Sequence, residues 1–132
     1  MSRRIPEAEI DGPRPEVIVD FIAEEGLLYV VLQNIGASSA LGASAVFDKP
    51  FHGLEGRKCI SAMQLFKRVE FMPPGKKFVQ LVDSLAAYFK RREPTRITVT
   101  VSYTSREGRK FQEVIKHDLR IYRDLGYTKT RT

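Results

Sequence analysis

A chain of 132 residues, 42% hydrophobic and 29% charged, can build one cored domain but not two, and its composition excludes a disordered polymer. The lone Cys59 and two histidines, His52 and His117, exclude an internal disulfide and a thiolate metal cage, and no run approaches the roughly 20 apolar residues of a membrane-spanning helix. The formal charge of +6 is uneven: residues 1–66 carry 6 basic and 9 acidic side chains, residues 67–132 carry 16 and 7, which suits an anionic partner or lysines that guard strand edges.

Residues 1–15, with Pro6, Gly12, Pro13 and Pro15 among charges, read as an extended arm. EVIVDFIAEE then alternates Val17, Val19 and Phe21 against Ile18, Asp20 and Ile22, a strand closed by Glu24-Glu25-Gly26. LLYVVLQNI, residues 27–35, is nearly continuous in β-branched and aromatic residues, as expected of a strand covered on both faces. A turn at Asn34-Ile35-Gly36 precedes a short strand over residues 43–48. Residues 52–57 read as loop, and ISAMQLF, residues 60–66, fits a helical turn or an edge strand equally.

KRVEF, residues 67–71, alternates into Met72-Pro73-Pro74-Gly75, a rigid corner, after which residues 78–82 form a strand. Asp83-Ser84 offers a helix N-cap before LAAYFKRRE, with Leu85, Tyr88 and Phe89 as the buried stripe and Pro94 as the stop. Asp83 is assigned the cap. The clearest strand is 95–103, where Ile97, Val99, Val101 and Tyr103 oppose Arg96, Thr98, Thr100 and Ser102. A hairpin loop at 105–109 leads to a return strand with Phe111, Ile115, Leu119 and Ile121 on one parity, and residues 123–132 form a basic tail.

About seven short strands, turns at regular spacing and one small helix predict an all-β chain: an immunoglobulin-like antiparallel β-sandwich over residues 16–122 with one short helical crossover. A five-stranded oligonucleotide-binding barrel is the alternative. Three segments, YVVLQNIGASSALGASAVFD, LFKRVEFMPPGKKF and TRITVTVSYTSREGRKFQE, carry a resemblance to the CARDB and fibronectin-type-III-like modules of bacteria and archaea. It rests on Val30, Leu32, Asn34 and Gly36, on Phe71, Pro74 and Gly75, and on Val99, Val101, Tyr103 and Gly108. The resemblance implies a fold with no single activity, used for adhesion, spacing or docking. The SLAAYFKRRE insertion departs from that pattern, and the start MSRRIPEAEIDGPRPE has no apolar export core, so the expected compartment is the cytoplasm.

Chemistry-bearing residues are sparse. Cys59 and His52 lie seven positions apart with no nucleophile elbow, and Cys59 reads as a small buried hydrophobe. His117 and Asp118, as strand neighbours, point to opposite faces, so His117 reads as a satisfied core-edge histidine. Glu24-Glu25 reads as a solvated turn, and GASSALG, residues 36–42, lacks the lysine and helix of a phosphate loop. The expectation is therefore no enzyme, no cofactor and no metal, but a docking or accessory subunit whose partner is another protein or a larger assembly. The alternative is a binder of nucleic acid or another anionic surface through Lys90, Arg91, Arg92, Arg106, Arg109 and Lys110. That alternative requires exposed aromatic rings, whereas Tyr88, Phe89, Tyr103 and Phe111 fall on parities assigned to the core.

Overall fold

Val17, Val19, Phe21 and Ala23 alternate with polar or half-exposed neighbours, and in the computed structural model, which describes residues 12–125, all four are buried. They belong to β1, Val17–Glu24, which pairs antiparallel with β2, Leu27–Asn34. The remaining strands of the two sheets are β3 (Ala40–Phe47), β6 (Val69–Met72), β7 (Lys77–Ser84), β8 (Arg96–Ser105) and β9 (Lys110–Asp118). Between β3 and β6 lie a two-residue hairpin, β4 (His52–Gly53) and β5 (Lys58–Cys59), a 3₁₀ turn at Ile60–Ala62, and the one-turn helix α1, Gln64–Lys67. Helix α2 is Leu85–Lys90 and α3 is Ile121–Leu125.

Two layers result: a three-stranded sheet, β1-β2-β7, and a four-stranded sheet, β6-β3-β8-β9. This is an all-β sandwich, and the two packed sheets exclude the single closed barrel. The fourth strand of the two sheets, β6, pairs with β3 rather than joining the sheet of β1 and β2, as its counterpart does in immunoglobulin constant domains. Helix α2 carries the chain from β7 in one sheet to β8 in the other, which is the predicted crossover. The inner faces meet through Leu28, Val30 and Leu32 of β2 and Ile97, Val99 and Val101 of β8. Phe51 closes one end, edge-on to Phe21 at 5.6 Å and to Phe47 at 5.1 Å between ring centroids.

Two turns follow their residues closely. The Pro73–Lys76 turn is closed by the Lys76 amide on the Pro73 carbonyl at 3.0 Å, with Pro74 setting φ and Gly75 at φ 85°. That is a type II turn, whose third position needs the left-handed freedom of glycine. The other is built on Asn34, fully buried at the end of β2. Its Oδ1 accepts the amides of Glu16 at 3.1 Å and Gly36 at 2.9 Å, while its Nδ2 donates to the carbonyls of Ser38 and Met72, both at 2.9 Å. One side chain thus ties β1, the β2–β3 connection and β6 together.

Among the described residues, three of the four edges of these two sheets are covered or short. On β1, the Val19 carbonyl meets His117 Nε2 at 2.8 Å and the Phe21 carbonyl accepts the Tyr122 hydroxyl at 3.0 Å. On β7, the Leu54 amide donates to the Val82 carbonyl at 2.7 Å and Gln80 Nε2 donates to the Leu81 carbonyl at 2.8 Å. β6 is four residues long. The edge of β9 runs nine residues. Edges left open are where another strand can add.

Several expectations need correction. Ser84, not Asp83, caps α2: its side chain accepts the Ala87 amide at 3.1 Å. Asp83 turns instead toward the β4–β5 hairpin, where it accepts the Glu55 amide and pairs with Arg91. Ser84→Ala should cost about 1 kcal/mol in chemical denaturation, the usual worth of an N-cap. β3 begins at Ala40, three residues earlier than the small residues of that stretch suggested, and residues 52–57 hold a hairpin strand as well as loop. β9 stops at Asp118, so Ile121 leaves the strand parity and stands exposed on α3. Residues 1–11 of the arm and 126–132 of the tail lie outside the described residues.

Candidate functional site

The densest group of ionisable side chains forms where the β4–β5 hairpin packs on β7 and α2. Gly53 permits that packing, because a Cβ there would lie 2.0 Å from the Val82 carbonyl oxygen. Around this contact, the Arg91 guanidinium donates to Asp83 Oδ2 at 2.7 Å, to Glu93 Oε2 at 3.3 Å and to the His52 carbonyl at 3.0 Å. The carboxylates turn back to the hairpin: Asp83 Oδ2 accepts the Glu55 amide at 2.8 Å and Glu93 Oε1 accepts the His52 amide at 2.9 Å. Leu54 and Glu55 both have φ near the left-handed region, at 51° and 62°, so the hairpin is held in a shape its residues do not favour.

The electrostatics follow from this geometry. Burial disfavours the Asp83 anion, but the Arg91 hydrogen bond and the Glu55 and Ser84 amides together outweigh it and hold the carboxyl below its ordinary range. Arg91 is likewise raised: burial opposes its charge, and Asp83 and Glu93 overcome that opposition. The groups therefore neutralise one another, and among the described residues every buried side-chain nitrogen and oxygen has a partner. His52 joins mainly through its backbone, its ring nitrogen Nδ1 standing 3.8 Å from Glu93. This cluster acts as a lock on the hairpin. Sequence reasoning misses it because Asp83, Arg91 and Glu93 straddle a helix and meet a hairpin 28 to 41 residues upstream.

The six basic candidates do not converge. Lys90, Arg91 and Arg92 lie at the end of α2, near the start of β8, whereas Arg106, Arg109 and Lys110 sit on the hairpin at its far end. A ten-residue strand separates the two triplets, about 30 Å at the usual rise. Arg91 is withdrawn from the candidates by its internal ion pairs. Lys90, Arg92, Arg106 and Lys110 are exposed.

The aromatic rings split too. Tyr88 is wholly buried and donates to the Pro94 carbonyl at 2.6 Å, and Tyr103 is buried. Phe89 and Phe111 are only partly buried, a correction to their assignment as core. Arg123 lies over Phe89 at 4.7 Å, and Phe111 stacks on Tyr103 at 5.3 Å with Arg109 over its ring at 5.8 Å. Phe111 and Arg109, with Arg14 and Ser105, line a cleft of about 550 Å³ between the arm and the β8–β9 hairpin.

Other candidates resolve as follows. His117 packs edge-on to Phe21 at 5.0 Å with its Nε2 on the Val19 carbonyl, a satisfied edge histidine. Asp118, on the opposite face, is held down to about 2 chiefly by Arg120, which grips both of its oxygens. Strand pairing sets Cys59 directly across from His52, which spacing alone did not suggest, but its Sγ contacts Ser61 Oγ at 3.4 Å. Cys59 is half-exposed rather than buried. Glu24 and Glu25 are exposed, as a solvated turn requires. Among the described residues no group of three His, Cys, Asp or Glu side chains is placed to hold a metal, and no helix is long and apolar enough to cross a membrane.

Fold and surface together define a small β-sandwich whose converging charges lock a hairpin and whose four-stranded sheet has, among the described residues, an uncovered edge. The chain belongs to the DUF8453 family, a domain of unknown function, which residues 2–123 match. No curated protein and no solved structure matches it.

Proposed function

We propose that this chain is a non-catalytic docking module, an accessory or structural subunit that binds another protein through the outer face of its four-stranded sheet. The observation that carries the reading is the character of that face. Register sets Val46 opposite Thr100 and Thr100 opposite Val114, one β-branched row across three strands, and sets Leu41 opposite both Phe71 and Thr104. Val46, Phe71 and Val114 are 66%, 51% and 60% exposed. Ser44, Thr98 and Ser102 add uncharged positions, with the Arg68–Glu70 ion pair beside Gly42 and Lys110 and Lys116 toward the rim. In a chain that is 29% charged, such a patch suits a partner surface apolar at its centre and acidic around it. The resemblance to CARDB and fibronectin-type-III-like modules supports the same reading, and the compartment proposed for it is the cytoplasm.

Affinity isolation from native lysate, with wild type and V46E/F71E in parallel, tests it. A specific protein recovered with wild type and reduced at least tenfold with the double variant is expected. Recovery of the same proteins with both, or of none, would overturn the reading.

The second reading, an anionic ligand, draws on the half-exposed Phe111 beside Arg109 and on Arg106 and Lys110 of the same hairpin. Oligonucleotide titration at several salt concentrations decides it, since phosphate contacts weaken steeply with salt. No binding at low salt removes the nucleic-acid form.

A further inference from the structure

The edge of β9 has a definite hydrogen-bonding phase. The Ser105 amide donates to the Arg109 carbonyl at 2.8 Å at one end of the β8–β9 ladder, and the Leu119 amide donates to the Thr95 carbonyl at 2.8 Å at the other. Antiparallel pairs alternate between bonded and non-bonded, and both ends place the odd-numbered residues of β9 in the bonded pairs. The amides and carbonyls of Lys110, Gln112, Val114, Lys116 and Asp118 therefore point away from β8, along the edge that no described residue covers. Only these five residues can bond an added strand.

We infer that β9 pairs antiparallel with β9 of a second copy of this chain, about a two-fold axis through Val114, joining two four-stranded sheets into one. The inference rests on the docking reading above and narrows one partner to the chain itself. Register selects the axis. Through Val114, Lys110 of one copy faces Asp118 of the other, Gln112 faces Lys116, and Val114 faces Val114. Moving the axis one residue toward the hairpin sets Lys110 against Lys116, a like-charge pair directly opposed. Moving it one residue the other way sets Val114 against Lys116 and leaves Lys110 without Asp118. An axis through Lys116 opposes two lysines. Only one phase-compatible register matches charge with charge and valine with valine.

The same register extends the β-branched row. Val46, Thr100 and Val114 already line up across β3, β8 and β9, and the axis would continue them into Val114, Thr100 and Val46 of the second copy. The inward-facing Phe111 and Ile115, which β8 leaves partly exposed, would gain cover from the added strand. The interface is isologous and closes at two copies, as a cyclic dimer must.

Sedimentation equilibrium across a range of micromolar to near-millimolar concentrations tests this, with wild type, V114P, K110E and K110E/D118K. The Val114 amide does not serve the β8–β9 ladder, so V114P removes the two central bonds of the interface and leaves that ladder intact. A wild-type dimer is expected, with V114P and K110E each weakening it at least tenfold and the double reversal restoring part of the loss relative to K110E. Circular dichroism melts check that each variant folds, and K110E, an exposed substitution, keeps the test valid should V114P not fold. A wild-type monomer throughout, or a dimer indifferent to both V114P and K110E, would overturn the pairing. Neither outcome touches the capture of a different protein through Val46 and Phe71, which is read separately.

Discussion

Asn34→Ala is expected to destabilise the fold by about 3–4 kcal/mol, measured by urea or guanidinium denaturation at neutral pH. Each of the four hydrogen bonds of Asn34 reaches a different backbone group, at Glu16, Gly36, Ser38 and Met72. The residue is fully buried, so water does not replace it. A buried bond is worth about 1 kcal/mol net, and an orphaned buried partner costs about 1–3 kcal/mol. Some of the four groups will relax toward solvent, which keeps the sum near the lower bound. Asn34→Asp is the sharper variant. It keeps size and the two accepting bonds but replaces both donors with an oxygen facing the Ser38 and Met72 carbonyls. It should be at least as damaging as alanine at neutral pH, and an Asn34→Asp protein as stable as wild type would remove Asn34 from the role of hub.

Arg91→Ala should cost about 3 kcal/mol at pH 7, because it leaves Asp83, whose side chain is 9% exposed, without its cation. Arg91→Lys should recover only part of this, since an ammonium cannot serve Asp83, Glu93 and the His52 carbonyl in one plane. The loss should depend on pH. The Asp83 carboxyl lies below its ordinary value in the folded state, so its stabilising contribution is full above the unfolded value of about 3.9 and is lost as pH falls through the folded one. Without Arg91 the Glu55 and Ser84 amides still hold the carboxyl down, but the balance shifts toward burial, which raises it. The acid-dependent part of the wild-type stability should shrink in the variant, and the gap between the two proteins should narrow from pH 5 to pH 3. Denaturation midpoints across that range measure it. A gap that stays constant would mean that Arg91 acts through packing of its stem rather than through Asp83.

The lock has a structural consequence that hydrophobic patterning does not reach. The β4–β5 hairpin covers the edge of β7 at Val82 through the Leu54 amide, and Asp83, Arg91 and Glu93 hold the hairpin there. Loosening the lock would expose the edge of β7, in the other sheet, in addition to that of β9. Arg91 variants are therefore the ones in which self-association beyond a dimer would arise.

Within each strand, the residues themselves determined which face is buried. Val17, Val19 and Phe21, and Ile97, Val99, Val101 and Tyr103, were legible because a pleated strand sends alternate side chains to opposite faces. The type II corner at Pro74-Gly75 and the crossover from Leu85 to Lys90 were legible for the same local reason, since proline, glycine, alanine and a serine cap act on their own backbone. Short, small-residue strands were less so: Ala40 and Leu41 carry little pattern, and their strand exists because β6 and β8 flank it. Asn34 was readable as a turn residue, but its four partners come from segments up to 38 residues away. Asp83 looked like a cap because Asp and Ser both accept helix amides. The approach of Gly53 to Val82 brings the Glu55 amide onto Asp83, which Arg91 also holds, and the cap falls to Ser84. The basic triplets looked like one half of the chain in sequence and lie at opposite ends of β8 in space. Periodicity and turn chemistry are local and survive in one dimension; ion pairs, edge cover and the grouping of charges depend on which distant segments meet, and that was decided by the packing of two sheets.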